Sequence, residues 1–527
     1  MAGSLVVAAA FAAPAAAQPV TTVITHGFST TEKGVWVQAM AEAILARAGG
    51  AGSIYRYTEA APLWTYVPSP FADGSNNAIV LIFNWVPESD APDAGPNWNY
   101  AQAAGDALYA SLRDPIFAAA PPPAPPITPP ASLINNRFLH FVGHSRGACV
   151  ISEAIIRLAR DGNIPVDHYT GLDPHPVNGT LDAPFNFNWN DPTPRRWSNV
   201  TFADVYWRAD GGGLNSLDFD GIPIDGAFNT QLSESALNCC GYSLSHSDVH
   251  LWLHGTIDTG PGACDGEQCI DATMRGSWWP EGYTQRGWFY SRLGGGSAQR
   301  PAVGPATTAP ATPFIMGGDF NNASYAGWSF HGGVVGGQIV SDALGQYLKI
   351  GAGIGTASLA RHNRFFLPNG SSAIKLDSRV LTGANAAGET LRISLTDQGA
   401  SGSGGATFVV ANDPISTLAS ASWLTNRTFA IPSNVPRGRT YTLSFQIIPA
   451  AGAAAALGLD NIDLVVLPPR PGDINSDGCV DVNDLLAVIG AWGVCPAQPQ
   501  ACPADVNHSG GVDVNDLLGV VTNWGCG

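Results

Sequence analysis

Phe138-Leu-His-Phe-Val142 runs into Gly143-His144-Ser145-Arg146-Gly147, and Ala148-Cys-Val-Ile-Ser-Glu-Ala-Ile-Ile-Arg-Leu-Ala159 follows. The first stretch is short and apolar, as a buried strand is. In the third, Ala148, Ile151, Ile155 and Leu158 recur at helical spacing. The five residues between them form a G-x-S-x-G pattern at a strand-to-helix junction. Such a turn must be sharp, its flanks must be small, and it presents the serine hydroxyl at the end of a sheet. Ser145 is therefore the candidate nucleophile.

The same alternation extends outward over residues 18–292. Val20–Thr25, Ala78–Trp85, Phe138–Val142, Val166–Leu172 and Val200–Trp207 read as strands, and Val35–Ala48, Tyr100–Leu112 and Ala148–Ala159 as helices. Strands alternating with helices predict a mostly parallel sheet covered on both faces. The proline-rich run from Pro121 to Pro130 breaks any helix and reads as a surface loop. Residues 293–312, rich in Gly, Ala, Pro and Thr, read as a linker. Beyond it the period changes to two. Leu391, Ile393 and Leu395 alternate with polar residues, as do Tyr441, Leu443, Phe445 and Ile447, so residues 313–467 read as an all-β sandwich. Residues 468–527 open on a second short linker at Pro468-Pro469 and repeat at a spacing of 32. Asp473-Ile-Asn-Ser-Asp-Gly-Cys-Val-Asp-Val-Asn-Asp484 matches Asp505-Val-Asn-His-Ser-Gly-Gly-Val-Asp-Val-Asn-Asp516.

A chain of 527 residues is long enough for two to four domains. Its net charge of −17 argues against nucleic acid or an anionic membrane as the main partner. The last 57 residues hold seven Asp and no Lys, Arg or Glu, a concentration that suggests a cation site. Residues 1–17, apolar and ending in Ala15-Ala16-Ala17, read as a secretory signal. No later run is long and apolar enough to be a transmembrane segment. Nine cysteines suit an exported, secreted or cell-surface protein. Cys264 and Cys269 are spaced to close a short loop, four more lie in the final module, and Cys149 is the candidate unpaired thiol.

A serine hydroxyl needs a base, and in this kind of fold the acid and then the base follow the nucleophile in chain order. His246, His250 and His254 lie at helical spacing. A zinc-binding helix of that kind would need Glu where Ser247 stands, so the base is the preferred reading. His246 and, alternatively, His250 are the candidate bases. Asp173 and, alternatively, Asp210 are the candidate orienting acids, each just beyond a strand. An oxyanion needs two backbone N–H donors, one from Arg146 and one from Phe28 in the turn His26-Gly27-Phe28.

His26-Gly27-Phe28, Gly143 to Gly147, and Gly171-Leu-Asp-Pro174 in that order resemble the pancreatic-lipase-like branch of the α/β-hydrolases. His246 to Trp252 is similar to the histidine segment of that group, which favours His246 over His250 and Asp173 over Asp210. Asn84 before Trp85 departs from the usual D-W pair, and no cysteine-bounded lid is recognisable. The resemblance implies an α/β-hydrolase fold and a Ser145–His246–Asp173 triad that hydrolyses carboxylic esters through an acyl-enzyme, with no cofactor for catalysis.

The twelve-residue loops resemble dockerin repeats, whose ligand pattern is that of an EF-hand calcium loop. Oxygen ligands fall at positions 1, 3, 5, 9 and 12, with a backbone carbonyl at 7. The first loop offers Asp473, Asn475, Asp477, the Cys479 carbonyl, Asp481 and Asp484. The second offers Asp505, Asn507, Ser509, the Gly511 carbonyl, Asp513 and Asp516, and is expected to be the weaker because Ser509 replaces a charged ligand. Ca2+ and a cohesin-like scaffold partner are what this resemblance implies. Gly318-Asp319-Phe320, Trp328 and Leu459-Asp460-Asn461-Ile462 look like a carbohydrate-binding jelly roll, in which Asp319 and Asp460 are candidates for a shared structural calcium. The expectation for the whole is a secreted ester hydrolase with a lipid or acylated polysaccharide as substrate. A polysaccharide or polyester esterase, and a non-catalytic surface adhesion protein, are the alternatives.

Overall fold

The computed structural model describes residues 19–28, 34–58, 63–86, 89, 100–118, 128–179, 188–209, 220–321, 327–331, 338–343, 345–351, 358–382, 389–398, 405–415, 422–448, 455–467, 470–474, 479–496, 502–507 and 509–526. The signal reading at 1–17, the alternative acid Asp210, the ligands Asn475 and Asp477, and most of the proline-rich run lie outside the described residues.

The first region contains strands β1 (Val20–Thr25), β2 (Gly52–Thr58), β3 (Leu63–Val67), β4 (Ala78–Asn84), β5 (Phe138–His144), β6 (Val166–Leu172), β7 (Val200–Trp207) and β8 (Phe228–Gln231). They form one sheet in the order β3-β2-β4-β1-β5-β6-β7-β8, and only β3 runs antiparallel to its neighbour. The helices are α1 (Gly34–Arg47), α2 (Tyr100–Arg113), α3 (Gly147–Arg160), α4 (Glu234–Leu237), α5 (Ser245–Ile257) and α6 (Ala272–Trp278). The unbroken apolar run of β4 follows from burial on both faces. Ile79, Leu81 and Phe83 pack with α2 and α3, while Val80 and Ile82 pack with α1 and α5. β2, β3 and β8 had no clear apolar period in the sequence.

The second region holds ten strands: β9 (Trp328–His331), β10 (Gln338–Asp342), β11 (Gly345–Gly351), β12 (Ser358–Leu367), β13 (Ser371–Thr382), β14 (Thr390–Asp397), β15 (Thr407–Pro414), β16 (Leu424–Ala430), β17 (Arg439–Ile448) and β18 (Ala456–Val466). They make two five-stranded antiparallel sheets, β10-β11-β18-β13-β16 and β15-β14-β17-β12-β9. Leu391, Ile393 and Leu395 of β14 and Tyr441, Leu443, Phe445 and Ile447 of β17 share the core between them, as alternation requires. Trp328 is buried in that core and its indole N–H donates to the Met316 carbonyl.

Residues 293–312 are not a free tether. Arg300 is paired with Asp167, and Thr307 bridges to Trp197. The sandwich then packs on the first region. Phe366 of β12 is buried against α2, Arg160 donates to the Pro313 carbonyl, and the Thr440 N–H donates to Asp114.

In the last region, β19 (Cys479–Val480), α7 (Val482–Gly490) and β20 (Gly493–Val494) are duplicated by β21 (Gly511–Val512), α8 (Val514–Thr522) and β22 (Gly525–Cys526). β19 pairs with β22 and β20 with β21. Val480, Val488, Val512 and Val520 form the small shared core. Disulfides join Cys239 to Cys240, Cys264 to Cys269 and Cys495 to Cys502, and Cys149 is a buried free thiol. Among the described residues, no helix is long and apolar enough to cross a membrane.

Candidate active site

Ser145 sits in the turn between β5 and α3 with φ of 57°, a left-handed conformation that costs a non-glycine residue free energy. The surroundings hold it there. Its N–H donates to the Leu172 carbonyl at 2.9 Å, and its own carbonyl accepts from Ala148 N at 3.1 Å. The flanking glycines answer a packing need: a Cβ on Gly147 would lie 2.6 Å from the His26 carbonyl oxygen. Gly27 is closer still to the chemistry, since a Cβ there would lie 2.8 Å from Ser145 Oγ. The Phe28 turn thus adjoins Ser145.

Asp173 stands just after β6, also at positive φ (42°), and is wholly buried. Its Oδ2 lies 2.6 Å from His246 Nδ1, so this acid and this base are paired directly. His246 is the second residue of α5, and its side chain is 13% exposed, which leaves the ring open on one side. Its carbonyl accepts from His144 Nε2 at 2.9 Å, and the two rings lie 4.6 Å apart. Burial, with the positive field of the neighbouring His246 and His250 when charged, holds the His144 imidazole far below its usual range, so it stays neutral.

The alternative base is turned elsewhere. His250 stacks on Trp36 at 4.2 Å and pairs with Asp265 at 3.4 Å. His254 is buried one turn on, and among the described residues neither of its ring nitrogens has a hydrogen-bond partner. The three histidines therefore do not share a centre. Among the described residues the one group of three His, Cys, Asp or Glu side chains spaced to hold a metal is Cys495, Cys502 and Asp505, and two of those are joined as a disulfide.

Arg146 immediately precedes α3, and its side chain is buried in an ion pair. Nε and Nη2 donate to Asp191 at 2.6 and 2.8 Å, and Nη1 donates to the Ser89 carbonyl. The guanidinium is flanked by the Trp85 and Trp189 rings at 5.1 and 4.6 Å. Trp189 in turn stacks on Phe28, which is half exposed. Asn84, the departure noted before Trp85, bonds His26 Nε2 at 2.8 Å and so steadies the Phe28 turn. Among the described residues, neither the Phe28 nor the Arg146 N–H has a backbone acceptor.

Sequence reasoning missed Arg208, Glu234 and Asp191. Arg208 follows β7 as Asp173 follows β6. Its N–H donates to Asp173 Oδ1 at 2.9 Å, and its buried Nε lies 3.2 Å from Oδ2. Position just beyond a strand was the one signal available for it.

In the C-terminal loops the residue at position 12 is buried in each copy. Asp484 accepts from Ile474 N and Asp481 N, and Asp516 accepts from Asn507 N and Asp513 N. Burial opposes ionisation of Asp516, but these amides outweigh it and hold the carboxyl below the usual range. In the second loop the Asp505 carboxylate accepts from Ser509 N and Gly510 N, and Ser509 Oγ donates to the Gly511 carbonyl at 3.1 Å. Asp505, Ser509 and Gly511 thus gather oxygens in one small loop, a donor set suited to a hard divalent cation. In the sandwich, burial and the nearby Asp377 and Asp319 push the Asp460 carboxyl up to about 6.

No protein-family model and no curated protein matches this chain. Several solved structures are similar to its sandwich. A study of promiscuous carbohydrate-binding modules of the β-sandwich superfamily supplies one, 13% identical over 31% of this chain and 66% of that one, at a TM-score of 0.22. The family 11 carbohydrate-binding module from Clostridium thermocellum with a β-1,3-1,4-mixed-linked tetrasaccharide is 17% identical, over 28% and 92%, at 0.21. CBM28, a module specific for non-crystalline cellulose, is 14% identical, over 30% and 98%, at 0.22.

Proposed function

We propose that this protein is a secreted serine ester hydrolase of the α/β-hydrolase type, in which Ser145, His246 and Asp173 form the catalytic triad. The observation that carries the reading is the 2.6 Å pairing of His246 with the buried Asp173, beside a serine held at positive φ in a strand-to-helix turn. Ser145 Oγ attacks the ester carbonyl carbon while His246 Nε2 takes its proton. Asp173 holds the Nδ1–H tautomer and stabilises the imidazolium. The Phe28 and Arg146 amides receive the negative charge that develops on the carbonyl oxygen. The imidazolium then protonates the departing alcohol. A water, deprotonated by the same imidazole, attacks the acyl-enzyme, and collapse returns Ser145 and a carboxylic acid. Ser145→Ala should lower kcat on a p-nitrophenyl ester by at least about 10⁴-fold with an unchanged melting profile. Turnover that survives the change would refute the mechanism.

The C-terminal repeat is read as a dockerin-like module that binds two calcium ions and docks the enzyme to a cohesin-like partner. The second loop offers the oxygen set named above, and the sequence of the first repeats its pattern. Each helix also leaves an apolar stripe in water: Val482, Leu486 and Ile489 on α7, and Val514, Leu518 and Val521 on α8, all about half exposed. Removing Ca2+ with a chelator should lose the amide chemical-shift dispersion of this module alone, and restoring Ca2+ should bring it back. A spectrum indifferent to Ca2+ would exclude the metal sites. Three disulfides among the described residues suit an oxidising compartment and support secretion.

A further inference from the structure

Asp173 serves two partners, and this bears on how strongly it can polarise the imidazole. Arg208 is fully buried, and its Nε lies 3.2 Å from Asp173 Oδ2, the same oxygen that takes His246 Nδ1 at 2.6 Å. A lone carboxylate raises the proton affinity of a neighbouring imidazole. A carboxylate already neutralised by a guanidinium does so less, because the imidazolium meets the field of an ion pair rather than of a free anion. Arg208 is itself partly neutralised. Its Nη1 lies 3.5 Å from Glu234 Oε2 and 3.8 Å from Asp220 Oδ1. Glu234 Oε1 also accepts from Ser245 Oγ at 2.6 Å, one residue before His246. A continuous chain of contacts therefore runs from Asp173 through Arg208 and Glu234 to the start of α5.

We propose that Arg208 is a positioning residue that shares the Asp173 carboxylate with His246, keeping His246 an unprotonated base to lower pH than an Asp–His pair alone would allow. The inference rests on the triad reading. Among the described residues, His144 at the end of β5 and His175 beyond β6 lie 4.6 and 6.3 Å from the His246 ring, His250 follows one turn on in α5, and Asp220 and Glu234 adjoin Arg208. His250 faces Asp265.

The test is an NMR titration of the His246 imidazole in the full chain, with histidine labelled at the ring carbon and the signal assigned by its loss in His246→Gln. The acid limb of kcat/KM is measured alongside. Arg208→Met should raise the His246 pKa and the acid limb together by about one unit, and Arg208→Lys should restore most of the shift. Glu234→Gln should move both the other way, by roughly half a unit, because Arg208 is then less neutralised. Should Arg208→Met not fold, Glu234→Gln decides alone. A His246 titration unmoved in these variants, or a rise in Glu234→Gln, overturns the proposal, since an arginine that only packs would change kcat without moving the titration. The titration needs no turnover. If it shifts as stated while no ester is hydrolysed, it is the hydrolase reading that has failed.

Discussion

Replacing Gly27 with alanine tests the close approach of the Phe28 turn to Ser145. Gly27 does not occupy the left-handed region, so alanine suits its backbone and the effect is steric alone. The new methyl would lie 2.4 Å from Ser145 Cβ, 2.8 Å from its Oγ and 3.0 Å from the His144 carbonyl oxygen. Carbon atoms in ordinary contact stand about 3.5–4.0 Å apart, so one partner must retreat by about 1 Å. Ser145 has little freedom to do so, because its amide is tied to Leu172 and its carbonyl to Ala148. The displacement therefore falls on the geometry between the nucleophile and the Phe28 amide. A misplacement of that size costs about 10²-fold in rate, and overpacking costs about 1–3 kcal/mol of stability. The assays are kcat on p-nitrophenyl butyrate, the rate of fluorophosphonate labelling of Ser145, and calorimetry on the full chain. Gly27→Ala should lose about two orders of magnitude in both rates, with a melting temperature lower by roughly 2–12 °C. A variant with kcat within about threefold of the parent would refute the close approach of the two turns and, with it, the assignment of Phe28.

Asp191→Ala should destabilise the first region by about 3–5 kcal/mol, because it strands the Arg146 cation in a site where its side chain is 2% exposed. The double change Arg146→Met with Asp191→Leu should recover most of that loss in denaturant titrations, and equal losses in the single and double variants would contradict the ion-pair argument. Asp460→Asn should raise the melting temperature of the sandwich at pH 8 and leave it unchanged at pH 4. The folded carboxyl is raised to about 6 from 3.8, so the stability it contributes is full below 3.8 and lost as pH rises through about 6. Melting curves with the same offset at both pH values would rule out that titration.

The layout of the first region was largely legible because its strongest signals are local. β5 is a short buried run and α3 an amphipathic one on either side of Ser145, and β4 is an unbroken apolar run of strand length. β2 reads Gly-Ser-Ile-Tyr-Arg-Tyr-Thr, and its polar residues are accommodated by contacts from afar. Ser53 Oγ donates to the Ser75 carbonyl, and Arg56 pairs with Gln38 of α1. No window of sequence contains those partners. Composition likewise made residues 293–312 look like a flexible connector, yet Arg300 is secured by Asp167, 133 residues earlier.

What the sequence determined unaided was the set of chemical groups and their order along the chain: a serine in a turn that only small flanks permit, an acid and a histidine downstream, and two acidic loops in register. These follow from steric and periodic rules that act within a few residues. Spacing left His246 and His250 open and only the resemblance favoured His246; the tertiary structure shows the two, one helical turn apart, pointing to different carboxylates, His246 to Asp173. It also decided that Arg208 joins that carboxylate, and that the sandwich is seated on α2 through Phe366. Electrostatic pairing and close packing depend on distance in space, and chain separation carries no record of it until the sheet has brought the strand ends together.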